Sequence, residues 1–181
     1  MWLLLLLVLP SFQSGLELRQ PCNATVDMGE ENCDKNASIR YHLDVETLTC
    51  LPFKFTGCGG NTNNFESSSD CHMKCIPMDF LMCPANTPPS TRPDGSSDCD
   101  DRKPCPKGST CRRGFVVGLC CDDKAIEKYS ANQKPDCGRK KVVKDRSTEF
   151  PMVLFGKSCD HQFCPEGAEC HGGPFFAYCC Q

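Results

Sequence analysis

Residues 50–75 read Cys50-Leu51-Pro52-Phe53-Lys54-Phe55-Thr56-Gly57-Cys58-Gly59-Gly60-Asn61-Thr62-Asn63-Asn64-Phe65-Glu66-Ser67-Ser68-Ser69-Asp70-Cys71-His72-Met73-Lys74-Cys75. Phe53 and Phe55 alternate with Lys54, the period of a strand with one buried face. Gly57 beside a half-cystine permits close approach of a second backbone segment. Asn63 and Asn64 supply amides that can satisfy backbone groups in a loop. Ser67 with Asp70 three residues on has the form of an N-cap and a first-turn acid, and predicts a short helix carrying Cys71 and Cys75 on one side.

The rest of the chain limits what this stretch can belong to. With 18 cysteines in 181 residues, close to a tenth of the sequence, the composition is that of a disulfide scaffold, which requires an oxidising compartment. No two cysteines have the C-x2-C spacing of zinc ribbons and fingers, so no metal or other cofactor is expected. A net charge of −3 argues against nucleic acid as a partner. Leu3 to Leu9 is an uninterrupted apolar run, too short to span a bilayer and followed by Ser11, Gln13, Ser14 and Gly15. Residues 1–15 are therefore predicted to be a signal peptide, and no later run predicts a membrane span.

Six cysteines, Cys22, Cys33, Cys50, Cys58, Cys71 and Cys75, occupy residues 22–75. Spacing alone leaves fifteen pairings open. The pattern of Phe53, Gly57-Cys58, Phe65, Cys71 and Cys75 resembles the second half of a Kunitz domain of the BPTI type. That resemblance implies a twisted β-hairpin plus a short C-terminal α-helix, with Arg40 to Leu43 and Leu51 to Phe55 as the strands and Asp44 to Leu48 as the turn. It implies the pairs Cys22 to Cys75, Cys33 to Cys58 and Cys50 to Cys71. So small a fold depends on such bridges, each worth about 2 to 5 kcal/mol.

The resemblance also implies inhibition of a serine endopeptidase by an exposed loop, here Cys33, Asp34, Lys35 and Asn36, which presents the residue after the second cysteine. That residue is Asp34, where a trypsin inhibitor has Lys or Arg. Trypsin floors its specificity pocket with aspartate, so like charges would meet in a desolvated site. Ten residues separate Cys22 from Cys33 and sixteen separate Cys33 from Cys50, where the family has eight and fifteen. Thr56 stands where such inhibitors have glycine. Asn23-Ala24-Thr25 and Asn36-Ala37-Ser38 are glycosylation sequons, and a glycan on Asn36 would stand in the contact patch.

Beyond Cys75, residues 76–82 read as a link and 88–103, rich in Pro, Ser, Asp and Gly, as an exposed loop. Two further six-cysteine sets follow, at residues 83–121 and 137–180. Cys105-Pro106, Gly108, Cys111 and Cys120-Cys121 recur as Cys164-Pro165, Gly167, Cys170 and Cys179-Cys180, at a constant offset of 59. This pattern resembles the lustrin-type cysteine-rich repeat of secreted invertebrate proteins, which carries no catalytic chemistry. Residues 114–119, 150–155 and 173–178 are predicted to be short apolar strands, and 122–136 an accessible segment between the sets.

His42, His72, His161 and His171 sit in no nucleophile or metal motif. The basic run 138–144 fits either a heparin-like polysaccharide or a solvated face. The expectation is a secreted, extracellular, non-enzymatic protein: a Kunitz domain and two cysteine-rich repeats, inhibiting a serine protease other than trypsin. The competing reading is a structural or interaction protein of extracellular matrix or cuticle, whose partner is a matrix protein.

Overall fold

The structure is a computed structural model that describes residues 16–145 and 151–181, so the predicted signal peptide lies outside the described residues. β1 (Ser38–Asp44) and β2 (Thr49–Phe55) form an antiparallel hairpin with Ser38 opposite Phe55 and Asp44 opposite Thr49. Its turn is held by Asp44, whose Oδ2 accepts from the backbone N–H and the hydroxyl of Thr47 at 2.9 and 2.6 Å. The backbones of Tyr41 and Phe65 exchange two hydrogen bonds, 2.9 and 2.7 Å, which lays the returning loop along β1. Asn63, fully buried, locks that loop in place. Its Oδ1 accepts from Leu43 N–H at 2.9 Å, and its Nδ2 donates to the carbonyls of Leu43 and Ala24 at 3.0 and 2.7 Å.

Ser67 caps α1 (Ser68–Cys75) by accepting from Asp70 N–H at 3.0 Å, satisfying one orphan donor of the first turn. The helix is tied down by Cys50–Cys71 and Cys22–Cys75. Between helix and hairpin lie Leu43, Leu48 and Ile76, with Phe80 and Met82 packed against them. Residues 76–82 are thus part of this core rather than a bare link, because Ile76, Phe80 and Met82 supply apolar area that three bridges and a hairpin cannot provide alone.

The second cysteine set centres on the hairpin of β3 (Ser109–Arg113) and β4 (Gly118–Asp122). The Pro- and Ser-rich stretch before it has no regular structure but is not loose. Arg92 gathers it by donating to Ser96 Oγ at 2.8 Å and to Asp98 Oδ1 at 3.1 Å, and the buried Cys99 anchors it. Two expectations fail in this region. Residues 114–117 are not a strand but the exposed tip of the hairpin, because Gly114 N–H closes a turn onto Val117 O at 2.8 Å. Residues 122–136 are not an open segment: α2 (Asp123–Gln133) begins at Asp122, whose side chain accepts from Ala125 N–H at 3.0 Å, and no Gly or Pro interrupts it before Pro135.

The third set builds two small sheets. β5 (Lys144–Asp145) pairs with β6 (Met152–Val153), while β7 (Phe155–Gly156) and β8 (Glu169–His171) flank β9 (Ala177–Cys180). Of the predicted strand 150–155, Met152, Val153 and Phe155 are strand, in two separate elements broken at Leu154, with Phe150 outside the described residues, whereas only 177–178 of the predicted strand 173–178 is strand, the rest being a turn. Phe163, Ala177 and Cys179 form its core.

All 18 cysteines pair into nine disulfides, and none joins one set to another. In each set the first pairs with the sixth, the second with the fourth and the third with the fifth: Cys83–Cys121, Cys99–Cys111 and Cys105–Cys120, then Cys137–Cys180, Cys159–Cys170 and Cys164–Cys179. The sets nevertheless touch. Asn86 donates to Glu46 O at 3.0 Å, and Lys157 donates to Asp44 at 3.0 Å and Glu46 at 2.6 Å, so the turn of the first hairpin is held from both later sets.

Candidate functional site: the loop from Cys33 to Asn36

The loop leaves the end of the β1–β2 hairpin away from the Asp44–Thr47 turn, and Cys33–Cys58 joins it to the residues that follow β2. Two backbone hydrogen bonds brace the pair of segments: Thr56 N–H to Met28 O at 2.9 Å and Glu30 N–H to Cys58 O at 3.0 Å. Asn61 Nδ2 adds a bond to Thr25 O at 2.8 Å. Gly29 (φ +91°) makes the contact possible, since a Cβ there would lie 2.3 Å from both Cys58 O and Thr56 Oγ1. Thr56, unusual for the resemblance, is accommodated in this gap and its hydroxyl donates to Cys58 O at 3.3 Å.

Beneath the loop lies Gly57, at φ +102°. A Cβ at that position would sit 2.8 Å from Lys35 Cβ, so the stem of Lys35 rests against the second segment. Lys35 N–H also points back to Cys33 Sγ at 3.4 Å. Asp34, Lys35 and Asn36 are all exposed, as is Asn23, and Cys33 and Cys58 are half-buried. Of the loop residues Lys35 leans on the scaffold, while Asp34 makes no hydrogen bond or ion pair among the described residues. A cleft of about 430 Å³ runs beside the root of the loop, between Ala37, Ser38, Ile39 and Lys54 on one wall and Gln162, Pro165 and Glu166 on the other.

Of the four histidines only His42 and His161 meet, with ring centroids 5.6 Å apart. They border a cavity of about 210 Å³ together with Asp44, Glu46 and Lys157, a cluster assembled from segments far apart in the chain and invisible to motif reading. His42 is 2% exposed, and neither of its ring nitrogens has a partner among the described residues. Burial pushes its pKa down to about 4, the neighbouring His161 acts in the same direction, and Asp44 opposes both. Burial likewise lowers His161. At Asp44 burial resists ionisation, but the hydrogen bonds from Thr47 and Lys157 outweigh it and hold the carboxyl below its ordinary range. This cluster sits at the turn end of the hairpin, away from the loop.

The remaining candidates are partly engaged within the fold. Within the basic run, Lys140 pairs with Glu169, and the Lys141 backbone exchanges two hydrogen bonds with Gln181. The sulfurs of Cys99, Cys105 and Cys111 lie within 4.8 Å of one another, yet each is consumed by a disulfide and offers no thiolate to a metal. Among the described residues no helix is long and apolar enough to cross a membrane.

Comparison with known proteins bears on the first cysteine set and on the whole chain. Residues 21–76 match the Kunitz/bovine pancreatic trypsin inhibitor domain family. A BPTI/Kunitz inhibitor domain-containing protein of Caenorhabditis elegans is 35% identical over 160 residues, covering 88% of this chain and 89% of that protein. Major allergen Ani s 1 of Anisakis simplex is 34% identical over 183 residues, covering 97% and 94%. The protease inhibitors of Actinia tenebrosa are 32% identical over 93 residues, covering 42% of this chain and 33% of theirs. With its hairpin, capped helix and three matching bridges, this small disulfide-rich chain belongs to the family of BPTI/Kunitz inhibitor domain-containing proteins.

Proposed function

We propose that the protein is a secreted, non-catalytic inhibitor of a serine endopeptidase, and that Asp34 is the side chain it presents to the enzyme's specificity pocket. Family membership carries the inhibitor-type function and a protease as partner. The assignment within the loop is supported by one observation above all: the Lys35 Cβ sits against Gly57 and Lys35 N–H points back to Cys33 Sγ, while Asp34 is exposed and makes no hydrogen bond or ion pair among the described residues, in a loop braced by Cys33–Cys58. A carboxylate so placed selects against trypsin, whose pocket aspartate would repel it, and favours a pocket lined by Arg, Lys or His. Nine disulfides support an extracellular location. Glycans on Asn23 and Asn36, and two lustrin-type repeats at residues 83–121 and 137–180, complete the proposal.

The test is a panel of serine proteases that differ in pocket charge, assayed against the oxidised, glycosylated protein. Inhibition confined to enzymes with a basic pocket supports the assignment. Inhibition of none supports the competing reading, a non-inhibitory interaction protein of the extracellular matrix, which the acidic residue at position 34 itself favours.

A further inference from the structure

The β3–β4 and β8–β9 hairpins are built alike. Cys111 lies opposite Cys120 in one and Cys170 opposite Cys179 in the other, at the offset of 59 that relates the two sequences. Both end in the same turn, closed by Gly114 N–H to Val117 O at 2.8 Å and by Gly173 N–H to Phe176 O at 2.9 Å. Their tips differ, Phe115-Val116-Val117 in one and Pro174-Phe175-Phe176 in the other, and so does what covers them.

The Phe175–Phe176 tip is covered by α2. Asn132, itself buried, donates from Nδ2 to Phe176 O at 2.8 Å and accepts at Oδ1 from Phe175 N–H at 2.8 Å. One turn earlier on the same helix, Tyr129 meets Phe176 edge to face at 6.2 Å. The corresponding tip of the other hairpin is bare: Val116 and Val117, the counterparts of Phe175 and Phe176, are 78% and 52% exposed, and Phe115, beside them at the position of the exposed Pro174, is 94% exposed. The N–H groups of Val116 and Val117 find no partner among the described residues. The hairpin is fixed at its base by Cys99–Cys111 and Cys105–Cys120. A rigid, contiguous apolar tip marks an interaction surface rather than a scattered exposed residue.

We propose that the Phe115–Val117 tip is a docking site for a helix of a partner protein, one that presents a carboxamide side chain with an aromatic residue one turn before it. The amide supplies the acceptor and donor that Asn132 supplies to the sister tip, and the aromatic covers Val117 as Tyr129 covers its counterpart Phe176. Arg112, exposed and without an ion pair among the described residues, calls for a carboxylate on the same helix, whereas Arg113 already pairs with Asp101. A lipid surface would take the side chains but leave the Val116 and Val117 N–H groups without acceptors in its apolar region.

The probe is a stapled helical peptide carrying residues 122–134, titrated into the intact oxidised protein labelled for amide NMR. The expected result is saturable shifts at residues 114–118 below about 1 mM, weakened at least about fivefold when the peptide carries Asn132→Ala. The exposed double change Phe115→Ser with Val116→Ser in the protein should remove the shifts and leave the remaining spectrum in place. No shift at residues 114–118, a shift indifferent to Asn132→Ala, or shifts confined to residues 175 and 176 would overturn the proposal. Phe115-dependent sedimentation with phosphatidylserine vesicles would overturn it in favour of a membrane surface.

Discussion

His42 and His161 face each other edge to face, 5.6 Å between ring centroids, one from the Kunitz hairpin and the other from the third cysteine set. Neither gains from carrying a proton there. His42 has a folded-state pKa of about 4 against an ordinary 6.5, so between those values the unfolded chain binds more protons than the folded one. The stability this group confers is complete above about pH 6.5 and is lost as the pH falls towards 4, a drop on the order of 3 kcal/mol if fully expressed. The contribution of Asp44, also depressed, survives this window, because it is lost only as the pH falls below the ordinary carboxyl range. Guanidinium unfolding with the bridges intact, repeated from pH 7 to 4.5, should show falling stability. His42→Phe should flatten that dependence, and an unchanged slope in the variant would remove His42 as its source.

Asn63 satisfies three backbone groups from a position closed to water. Asn63→Ala leaves Leu43 N–H and the Leu43 and Ala24 carbonyls without their partner, at a cost of about 2 to 4 kcal/mol. Chemical denaturation of the oxidised variant measures it. A loss under about 0.5 kcal/mol would mean that water replaces the amide.

Burial separates the three bridges of the Kunitz domain. Cys33–Cys58 is half-buried at both ends, whereas Cys71, Cys22 and Cys75 are closed to solvent. Attack on a disulfide needs access to a sulfur, so limited dithiothreitol should open Cys33–Cys58 before either of the others. Alkylation followed by peptide mapping should find label on Cys33 and Cys58 first. Earlier labelling of Cys50 or Cys71 would contradict the burial order.

What could be read in the chain beforehand depended on how local the signal was. The second strand followed from the alternation at Phe53, Lys54 and Phe55, and the helix start from Ser67 and Asp70, because each is set by neighbours in sequence, whereas the pairing of two strands into a hairpin came with the Kunitz resemblance. Helix α2 escaped because only Ala125 and Asn132 among its residues are buried, so it carries no apolar stripe. Phe115, Val116 and Val117 read as strand on β-propensity, although Gly114 and Gly118 on either side were the signal of a turn. The meeting of His42 with His161, and of Lys157 with Asp44 and Glu46, is tertiary and leaves no local trace. For the loop, spacing and the identity of residue 34 were legible, but the Lys35 Cβ meets Gly57 across segments distant in sequence, which leaves no local trace.

The central claim is that Asp34 is the presented residue of an intact inhibitory loop, and exchanging its charge tests it most directly. The variant Asp34→Lys with Asn36→Gln, confirmed to hold all nine bridges, is titrated against trypsin beside the unmodified protein. The account predicts no measurable inhibition by the unmodified protein and a gain of at least about a hundredfold in the variant, since repulsion in the pocket becomes an ion pair. Tight inhibition of trypsin by the unmodified protein, or a correctly bridged variant that still fails to bind, would contradict it.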